Sequence, residues 1–193
     1  MNERSWQDTS LLRENALDVG RFALRHAIAG DLDVLVTWMN DPAVDAYWKL
    51  AGPRERTAAH LRAQKEAGHV TSLLGCLDGV PMSYWEVYWA DLDPLSAAYP
   101  ARAYDGGIHL LLGPATARGR GLGATLLRDV SDRMFAAAPA CERIVAEPDI
   151  RNRPSIGAFE RAGFQRQADL ALPDKWAALM VRERTTISTE EDA

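Results

Sequence analysis

The sequence predicts a mixed α/β fold, in which a mostly antiparallel sheet contains a central pair of parallel strands and is flanked by helices. Two apolar and aromatic-rich runs, Val70–Leu77 and Val80–Trp89, are separated by an Asp-Gly pair, which is the pattern of a β-hairpin. Between residues 106 and 163 the chain then alternates strand, helix, strand and helix patterns. Two further strand patterns follow, so hairpins stand on both sides of the alternating unit.

In the first half of the chain, the elements are predicted from alternation, caps and breakers. Residues 22–28 alternate apolar and charged side chains as a strand does, and Gly30 and Asp31 then form a turn whose aspartate can cap a helix. A solvated helix rich in Ala, Arg, Glu, Gln and Lys is expected to end at Gly68. The predicted helices here are Leu32–Met39, a short one around residues 44–48, and Arg54–Ala67.

In the second half, a long loop over residues 90–104 leads into a short apolar strand at 106–113, which Pro114 ends. Asn152 can cap a helix that ends at Gly163. The remaining predicted elements are a helix over Leu122–Ala137, a strand over Arg143–Ala146, and closing strands over residues 164–172 and 176–184.

The length of 193 residues suits one domain with a sizeable core. We expect a single folded domain over residues 19–184. Residues 1–18 carry charge with little periodicity, and residues 185–193 are polar and acidic, so both segments are expected to be flexible.

The composition is that of an ordinary globular protein, with 47% hydrophobic and 25% charged residues. No run approaches the length of a membrane span, and the N-terminus lacks the apolar core of a signal peptide, so a cytoplasmic location and no membrane partner are expected. The 27 acidic and 22 basic side chains leave a net charge of −5, which disfavours nucleic acid as a partner and is compatible with a cationic substrate.

Cysteine and histidine positions point away from a metal centre. Cys76 and Cys141 lie outside any metal-type spacing and are expected to be buried free thiols. His26, His60 and His69 are scattered without evident partners, so no metal is expected. The sequence carries no signal for a particular oligomeric state.

A glycine-rich turn between the strand at 106–113 and the next helix is the main functional signal. Gly119, Gly121 and Gly123 can take positive φ and bring backbone amides close to a ligand. The helix starting near Leu122 directs its unpaired N–H groups to the same place, so an anion such as a phosphate is expected there. Arg118 and Arg120 flank these amides and could pair with phosphates; the alternative is an ordinary strand-to-helix turn.

One polar side chain, His109, interrupts the apolar strand beside this turn, where a reactive group would be carried. Imidazole titrates near physiological pH and suits proton transfer. The plain alternative is a half-buried strand histidine that is satisfied by backbone groups.

The words RGRGLG and NRPSIGAFERAGF, some thirty residues apart, resemble the GNAT acyltransferase superfamily, and the resemblance extends over residues 22–184. It implies the GNAT fold and acyl-CoA as cosubstrate, with the pyrophosphate wrapped by a motif to which Arg118, Gly121 and Gly123 correspond. Asn152 is a helix cap by its position, and the resemblance adds an approach to the pantetheine arm. The residues expected to bind the cosubstrate are Leu111, Arg118, Gly119, Arg120, Gly121, Leu122, Gly123, Ala124 and Asn152.

The words GIHLLLGP, EPDIRN, LPDKWAALM and YWEVYWAD are similar to a narrower group, the siderophore-biosynthesis branch of GNAT enzymes. That branch includes hydroxylysine and hydroxycadaverine acyltransferases and the mycobactin lysine acyltransferase. The resemblance implies transfer of an acetyl or succinyl group from CoA to an N-hydroxylated amine, which gives a hydroxamate. It also implies a catalytic pair formed by His109 and Asp149.

Acyl transfer from a thioester needs a base for the acceptor's proton and a donor to the oxyanion. His109 is expected to be that base, with Asp149 setting its tautomer and orientation. The alternative for Asp149 is a carboxylate that only shapes a turn. No serine or cysteine lies in a nucleophile setting, so direct attack in a ternary complex is expected.

Aromatic and acidic residues around the second hairpin strand are the expected acceptor contacts. Trp85, Glu86, Trp89 and Asp91 lie in the segment that borders the acceptor pocket in the siderophore branch, where an acid could meet a terminal ammonium. The alternatives are core packing for the tryptophans and a solvated acid on an edge strand.

Two other functions compete with this interpretation. Aminoglycoside 6′-acetyltransferases share a similar EPD and Asn word but fit the GIHLLLGP and YWEVYW segments less well. A CoA-binding module without catalytic activity is the other, and the presence of both His109 and Asp149 argues against it.

Overall fold

The computed structural model describes residues 4, 6 and 9–185, and its eight strands form one sheet in the order β1-β2-β3-β4-β5-β6-β8-β7. All neighbouring strands are antiparallel except β5 and β6, which are parallel. The predicted mixed sheet with one central parallel pair is therefore confirmed. The strands are β1 (Asn15–Leu17), β2 (Gly20–His26), β3 (Val70–Leu77), β4 (Val80–Trp89), β5 (Gly106–Leu112), β6 (Arg143–Ala146), β7 (Gln165–Ala171) and β8 (Trp176–Glu183).

The described region contains six α-helices, and several of them begin or end at a cap or a breaker. The side chain of Asp41 accepts a hydrogen bond from the Ala43 N–H at the start of α3, where Pro42 occupies the first turn. Within the described residues, no helix combines the length and apolarity that a bilayer span requires. The helices are α1 (Thr9–Leu12), α2 (Leu32–Met39), α3 (Pro42–Trp48), α4 (Arg54–Ala67), α5 (Leu122–Ala137) and α6 (Arg153–Arg161).

The parallel strands β5 and β6 separate soon after they meet. They pair only at Gly106 with Ile144 and at Gly107 with Val145, although β5 continues to Leu112. The bonds from Ala90 N to Asp105 O and from Gly113 N to Met82 O set the alternation of the β4–β5 ladder. By that alternation, the backbone groups of residues 108 and 110 point away from β4 into the gap. The sheet therefore contains a gap between β5 and β6, where backbone groups of β5 are not paired with a strand.

Gly107 allows a close approach of the Tyr88 ring. A Cβ at this position would lie 2.2 Å from the ring carbons of Tyr88, far inside contact distance. The two residues are opposite each other on β5 and β4. The missing side chain lets the Tyr88 ring lie flat across β5, so that its hydroxyl reaches the carboxylate of Glu147.

The N-terminal segment differs from its expectation. Residues 1–18 were predicted to be flexible, but α1 and β1 are formed there, and Trp6 and Leu11 are 2% and 0% exposed. The Trp6 ring stacks on Trp89 with centroids 4.3 Å apart. These contacts join residues that are far apart in the sequence, so a local sequence pattern does not predict them. The predicted C-terminal tail lies outside the described residues from position 186 onward.

Both cysteines are free thiols, as expected. Cys141 is buried, and burial raises the pKa of its thiol to about 11. Cys76, near the end of β3, is only partly buried.

Candidate active site

A cavity of about 310 Å³ opens beside the gap between β5 and β6. Its walls come from α3, α4, β4, β5, the segment after β6, the start of α6 and the β7–β8 turn. Both residues of the expected catalytic pair, His109 and Asp149, line it. The residues that line the cavity are Tyr47, Trp48, Leu50, His60, Gln64, Glu86, Ile108, His109, Leu110, Ala146, Glu147, Pro148, Asp149, Asn152, Ser155, Phe159 and Lys175.

The imidazole of His109 lies between two carboxylates. Its Nδ1 is 3.1 Å from Oε2 of Glu86, which is opposite His109 in the β4–β5 ladder. Its Nε2 is 2.6 Å from Oε1 of Glu147, which follows β6, and 3.3 Å from the hydroxyl of Tyr88. Both ring nitrogens therefore have an acidic partner.

This geometry favours the imidazolium form of His109. An ionised carboxylate only accepts hydrogen bonds, so each ring nitrogen must carry a proton to donate one. Burial alone would lower the pKa of His109, but the charges and hydrogen bonds of Glu147 and Glu86 outweigh it and raise the pKa to about 10. The expectation of a neutral histidine acting as base does not fit this arrangement, because no ring lone pair is left to take a proton.

Glu86 is held by protein groups on both oxygens. Besides His109, it accepts a hydrogen bond from the Tyr84 hydroxyl at 3.0 Å, and Oε1 lies 2.6 Å from Nε2 of His60. Burial would raise the pKa of Glu86, yet hydrogen bonds from His109 and His60 lower it to about 2. The carboxylate of Glu86 lines the cavity as expected. Its hydrogen-bond partners are protein side chains, those of His109, His60 and Tyr84. His60 is 26 residues from Glu86 in the sequence, and the packing of α4 brings the two side chains together.

Asp149 shares the cavity with His109, but the structure does not join them by a hydrogen bond. Its Oδ1 accepts from the backbone N–H and Nε of Arg151, at 2.8 and 2.9 Å, and its Oδ2 accepts from the Arg151 guanidinium at 2.6 Å. These bonds lower the pKa of Asp149 to about 2. In the structure, the carboxylates that contact the ring nitrogens of His109 are those of Glu86 and Glu147.

Three of the four expected acceptor contacts lie away from the cavity. Successive side chains on β4 point to opposite faces, so Trp85 and Trp89 enter the core on the face that Glu86 avoids, and they are 0% and 6% exposed. Trp85 donates its ring N–H to Ser83 at 2.8 Å. Asp91 accepts from Arg4 at 2.7 Å and from the Tyr104 N–H at 3.1 Å, and so ties down the N-terminal segment.

Residues missed by the sequence analysis complete the site. The most important is Glu147. Its position follows from the strand register: Gly107 pairs with Val145, so the residues two positions further on, His109 and Glu147, are on the same face. Trp48 of α3 adds an aromatic wall, with its ring edge-on to His109 at 6.2 Å.

The glycine-rich loop has the backbone geometry expected of an anion site. Gly119 and Gly121 have φ of +72° and +79°, which glycine adopts readily. Gly121 directly precedes α5, which starts at Leu122 as predicted. Among the described residues, no acceptor is bonded to the backbone N–H groups of positions 119–121. Arg120 is exposed beside them.

Other residues expected at the cosubstrate have structural tasks. The guanidinium of Arg118 donates to Asp41 at 2.7 Å and to the Leu112 and Gly113 carbonyls, so it braces the loop. Leu111 is 2% exposed and packs in the core beside Leu35, whereas its neighbours at 108 and 110 line the cavity.

Asn152 lies at the start of α6 and at the cavity. Its side chain accepts from the Ser155 N–H at 3.2 Å and thereby caps α6, as the sequence predicted. It also lines the cavity. Of the remaining expected contacts, Ala124 is buried in the first turn of α5, and Leu122 and Gly123 are partly buried there.

Residues 27–172 match the family model described as an acetyltransferase (GNAT) domain. Curated relatives include a lysine N-acyltransferase MbtK of Mycolicibacterium paratuberculosis, 39% identical over 74% of this chain and 64% of its own length. An N(6)-hydroxylysine O-acetyltransferase of Escherichia coli is 32% identical over 83% of this chain and 51% of its own length. The chain thus spans about half to two thirds of the length of these two relatives.

Solved structures with the same architecture include an uncharacterized protein of Bacillus halodurans, with a TM-score of 0.86 and 39% identity over 91% of this chain and 92% of that one. The aminoglycoside acetyltransferase AAC(6')-Ib in complex with ribostamycin and coenzyme A has a TM-score of 0.76 and 27% identity, over 89% of this chain and 99% of that one.

Proposed function

The chain belongs to the GNAT acetyltransferase family, and on this premise we propose that it transfers an acyl group from acyl-CoA to the side-chain nitrogen of an N-hydroxylated amine. The product is a hydroxamate, and siderophore assembly is the setting. The acceptor attacks the thioester directly in a ternary complex.

One observation carries the proposal: the cavity with His109 and Asp149 opens at the divergence of β5 and β6. The backbone edge of residues 108 and 110 leads from this cavity towards the glycine-rich loop at the end of the same strand. A thioester that lies along this edge has its phosphates at the loop and its acyl carbon at the cavity. Acetyl-CoA and succinyl-CoA are the proposed donors.

The cosubstrate's phosphates are proposed to bind the free amides of residues 119–121 and the N-terminal turn of α5, where the helix dipole favours negative charge. Arg120 is the exposed cation beside these amides. Arg118 supports the loop through Asp41 instead of contacting phosphate directly.

The acceptor class is proposed from the relatives. The carboxylates that line the cavity, those of Glu86, Glu147 and Asp149, already pair with side chains of the protein, so their charge does not select an acceptor; these partners are His60, His109, Lys175 and Arg151. Relatives named lysine N-acyltransferase, N(6)-hydroxylysine O-acetyltransferase and hydroxyornithine transacylase act on basic amino acids, which supports hydroxylated lysine or hydroxylated cadaverine here.

Aminoglycoside 6′-N-acetylation is the second candidate. The similarity to the ribostamycin complex of AAC(6')-Ib favours it. The curated relatives with amino-acid acceptors are more similar in sequence, at 32–39% identity against 27%.

A thiol-release assay tests both candidates. Acetyl-CoA and succinyl-CoA are each combined with N-hydroxylysine, N-hydroxycadaverine, lysine, cadaverine and kanamycin, and free thiol is followed over time. We expect the highest kcat/KM with an N-hydroxylated acceptor, and the hydroxamate product is confirmed by its coloured ferric complex. A preference for kanamycin would replace the first candidate by the second, and no turnover with any pair would refute both.

Replacing Gly121 by alanine is expected to raise the KM for acyl-CoA about tenfold with little change in kcat. The backbone at Gly121 has φ of +79°, and a side chain there costs about 1–2 kcal/mol. Space is not the obstacle, since a Cβ at this position meets nothing within 4 Å. Steady-state kinetics with varied acyl-CoA measure the effect.

The matched control is Gly157→Ala, a glycine inside α6, where φ is helical and alanine is favoured. It should leave the KM for acyl-CoA unchanged. An unchanged KM in Gly121→Ala as well would place the phosphate site elsewhere.

A further inference from the structure

Glu147 is a buried acid beside His109. Its side chain is 8% exposed, although it follows directly after a strand end, where acids are usually solvated. Groups from three other parts of the fold converge on it: His109 of β5, Tyr88 of β4 and Lys175 of the β7–β8 turn. Burying a carboxylate costs free energy unless it is paired, and these three groups pair with the carboxylate of Glu147.

Both oxygens of Glu147 are occupied. Oε1 is 2.6 Å from Nε2 of His109 and 3.5 Å from the Lys175 ammonium. Oε2 accepts from the Tyr88 hydroxyl at 2.9 Å, and that ring is positioned by the missing side chain of Gly107. A carboxylate with these partners is built to hold His109 in place.

We propose that Glu147 is a positioning residue which, together with Glu86, holds His109 as an imidazolium, so that His109 donates a proton during acyl transfer instead of accepting one. The kinetic part of this inference rests on the proposed function, whereas the charge state of His109 does not.

The proton balance of acyl transfer allows His109 to act as a proton donor. The acceptor nitrogen uses its lone pair to form the C–N bond, and the C–S pair leaves with sulfur. One proton passes overall from nitrogen to sulfur. As negative charge develops on the departing sulfur, the sulfur replaces one of the two carboxylates as the acceptor at a ring nitrogen of His109 and takes the proton of that nitrogen. The proton released by the acceptor nitrogen restores the imidazolium, so no other reagent is consumed.

The titratable groups that face His109, Glu86 and Glu147 come from α4, β4 and the β7–β8 turn. Acidic or phenolic groups are Glu86, Glu147, Tyr84 and Tyr88, and the other cationic or titratable groups are His60 on α4 and Lys175. Asp149 lines the same cavity but is neutralised by Arg151. Opposite charge lies directly against both ring nitrogens of His109, and like charge is further away.

The first test uses the free protein and needs no substrate. Ring nitrogen and carbon signals of the four histidines are followed by NMR from pH 5 to 10, and His109 is assigned by its loss in His109→Gln. In the wild type, His109 should stay doubly protonated through pH 8. In Glu147→Gln its titration midpoint should fall by about 1–3 pH units, because a neutral amide replaces an opposite charge in contact.

The matched control is Glu142→Gln, an exposed glutamate just before β6, which should leave the His109 titration unchanged. A wild-type His109 that titrates near pH 6.5, or a midpoint that Glu147→Gln does not move, would overturn the inference. Neither outcome depends on whether the proposed function is right.

The second test is the pH profile of kcat/KM with the best substrate pair. If His109 is a donor, the loss of rate at high pH should shift to lower pH in Glu147→Gln by the amount that NMR measures. Glu147→Asp, which keeps the charge, should return the profile towards that of the wild type. If instead the low-pH side of the profile shifts and the rate at pH 6 rises, His109 is a base and the proposal is wrong.

Discussion

Replacing His109 by glutamine is expected to lower kcat about 10²–10⁴-fold, the range by which a positioned acid or base accelerates proton transfer. The imidazole lies at the cavity between Glu86 and Glu147, where the reacting groups meet in the proposed ternary complex. Glutamine is of similar size and can still donate a hydrogen bond, but it cannot release a proton. The change should therefore act on kcat more than on the KM of either substrate, as steady-state kinetics would measure.

His109→Gln also leaves two buried carboxylates without the cation between them. One of them will take up a proton in response, so the variant must be checked for folding by circular dichroism before its kinetics are interpreted. The matched control is His26→Gln, the same change at an exposed histidine at the end of β2. A folded His109→Gln protein with more than a tenth of wild-type kcat would contradict a role for His109 in proton transfer.

Replacing Asp105 by asparagine is expected to lower the free energy of unfolding by about 3–5 kcal/mol, the usual cost of removing one partner of a buried ion pair. Asp105 and Arg143 have side chains that are 2% and 8% exposed and are joined by two hydrogen bonds of 2.6 and 2.7 Å. Asp105 also accepts from the Tyr99 hydroxyl and from the Arg102 N–H. Asparagine leaves the guanidinium of Arg143 buried and uncompensated.

Urea denaturation followed by fluorescence measures this loss. The control is Asp169→Asn, which removes an ion pair with Arg166 whose side chains are 47% and 42% exposed and which should cost less than about 1 kcal/mol. Equal losses in the two variants would mean that burial does not strengthen the Asp105 pair. Because Asp105 directly precedes β5, Asp105→Asn should also loosen the start of the strand that carries His109.

The fold was predictable where turn residues mark the ends of strands and helices. Asp78 and Gly79 both adopt positive φ, at 50° and 79°, and this turn set the ends of β3 and β4 correctly. The start of α5 likewise follows from the glycines before it. α1 and β1 are too short to have a period, and they are held by the burial of Trp6 and Leu11, so their formation depends on residues far away in sequence.

The part of the site that depends on the sequence of one strand was predictable, and the contacts between strands and helices were not. His109 stood out because a polar side chain in an apolar strand costs free energy without a purpose. Its actual partners depend on strand register, which pairs Glu86 with His109, and on the docking of α4, which adds His60. Trp85 and Trp89 lie in the core and not at the cavity, because alternate residues of a strand point to opposite faces and the whole sheet determines which face meets the cavity.

The burial of Trp6 against Trp89 affects how the chain can be shortened. Residues 27–172, the part that matches the family model, leave out β1, β2 and β8 together with this tryptophan. A fragment with those limits would expose the edge of β3 and one whole side of β6, as well as the surface that Trp6 covers. Unpaired strand edges invite association with other chains. The smallest piece of this protein that can be handled alone is therefore larger than the region by which its family is recognised.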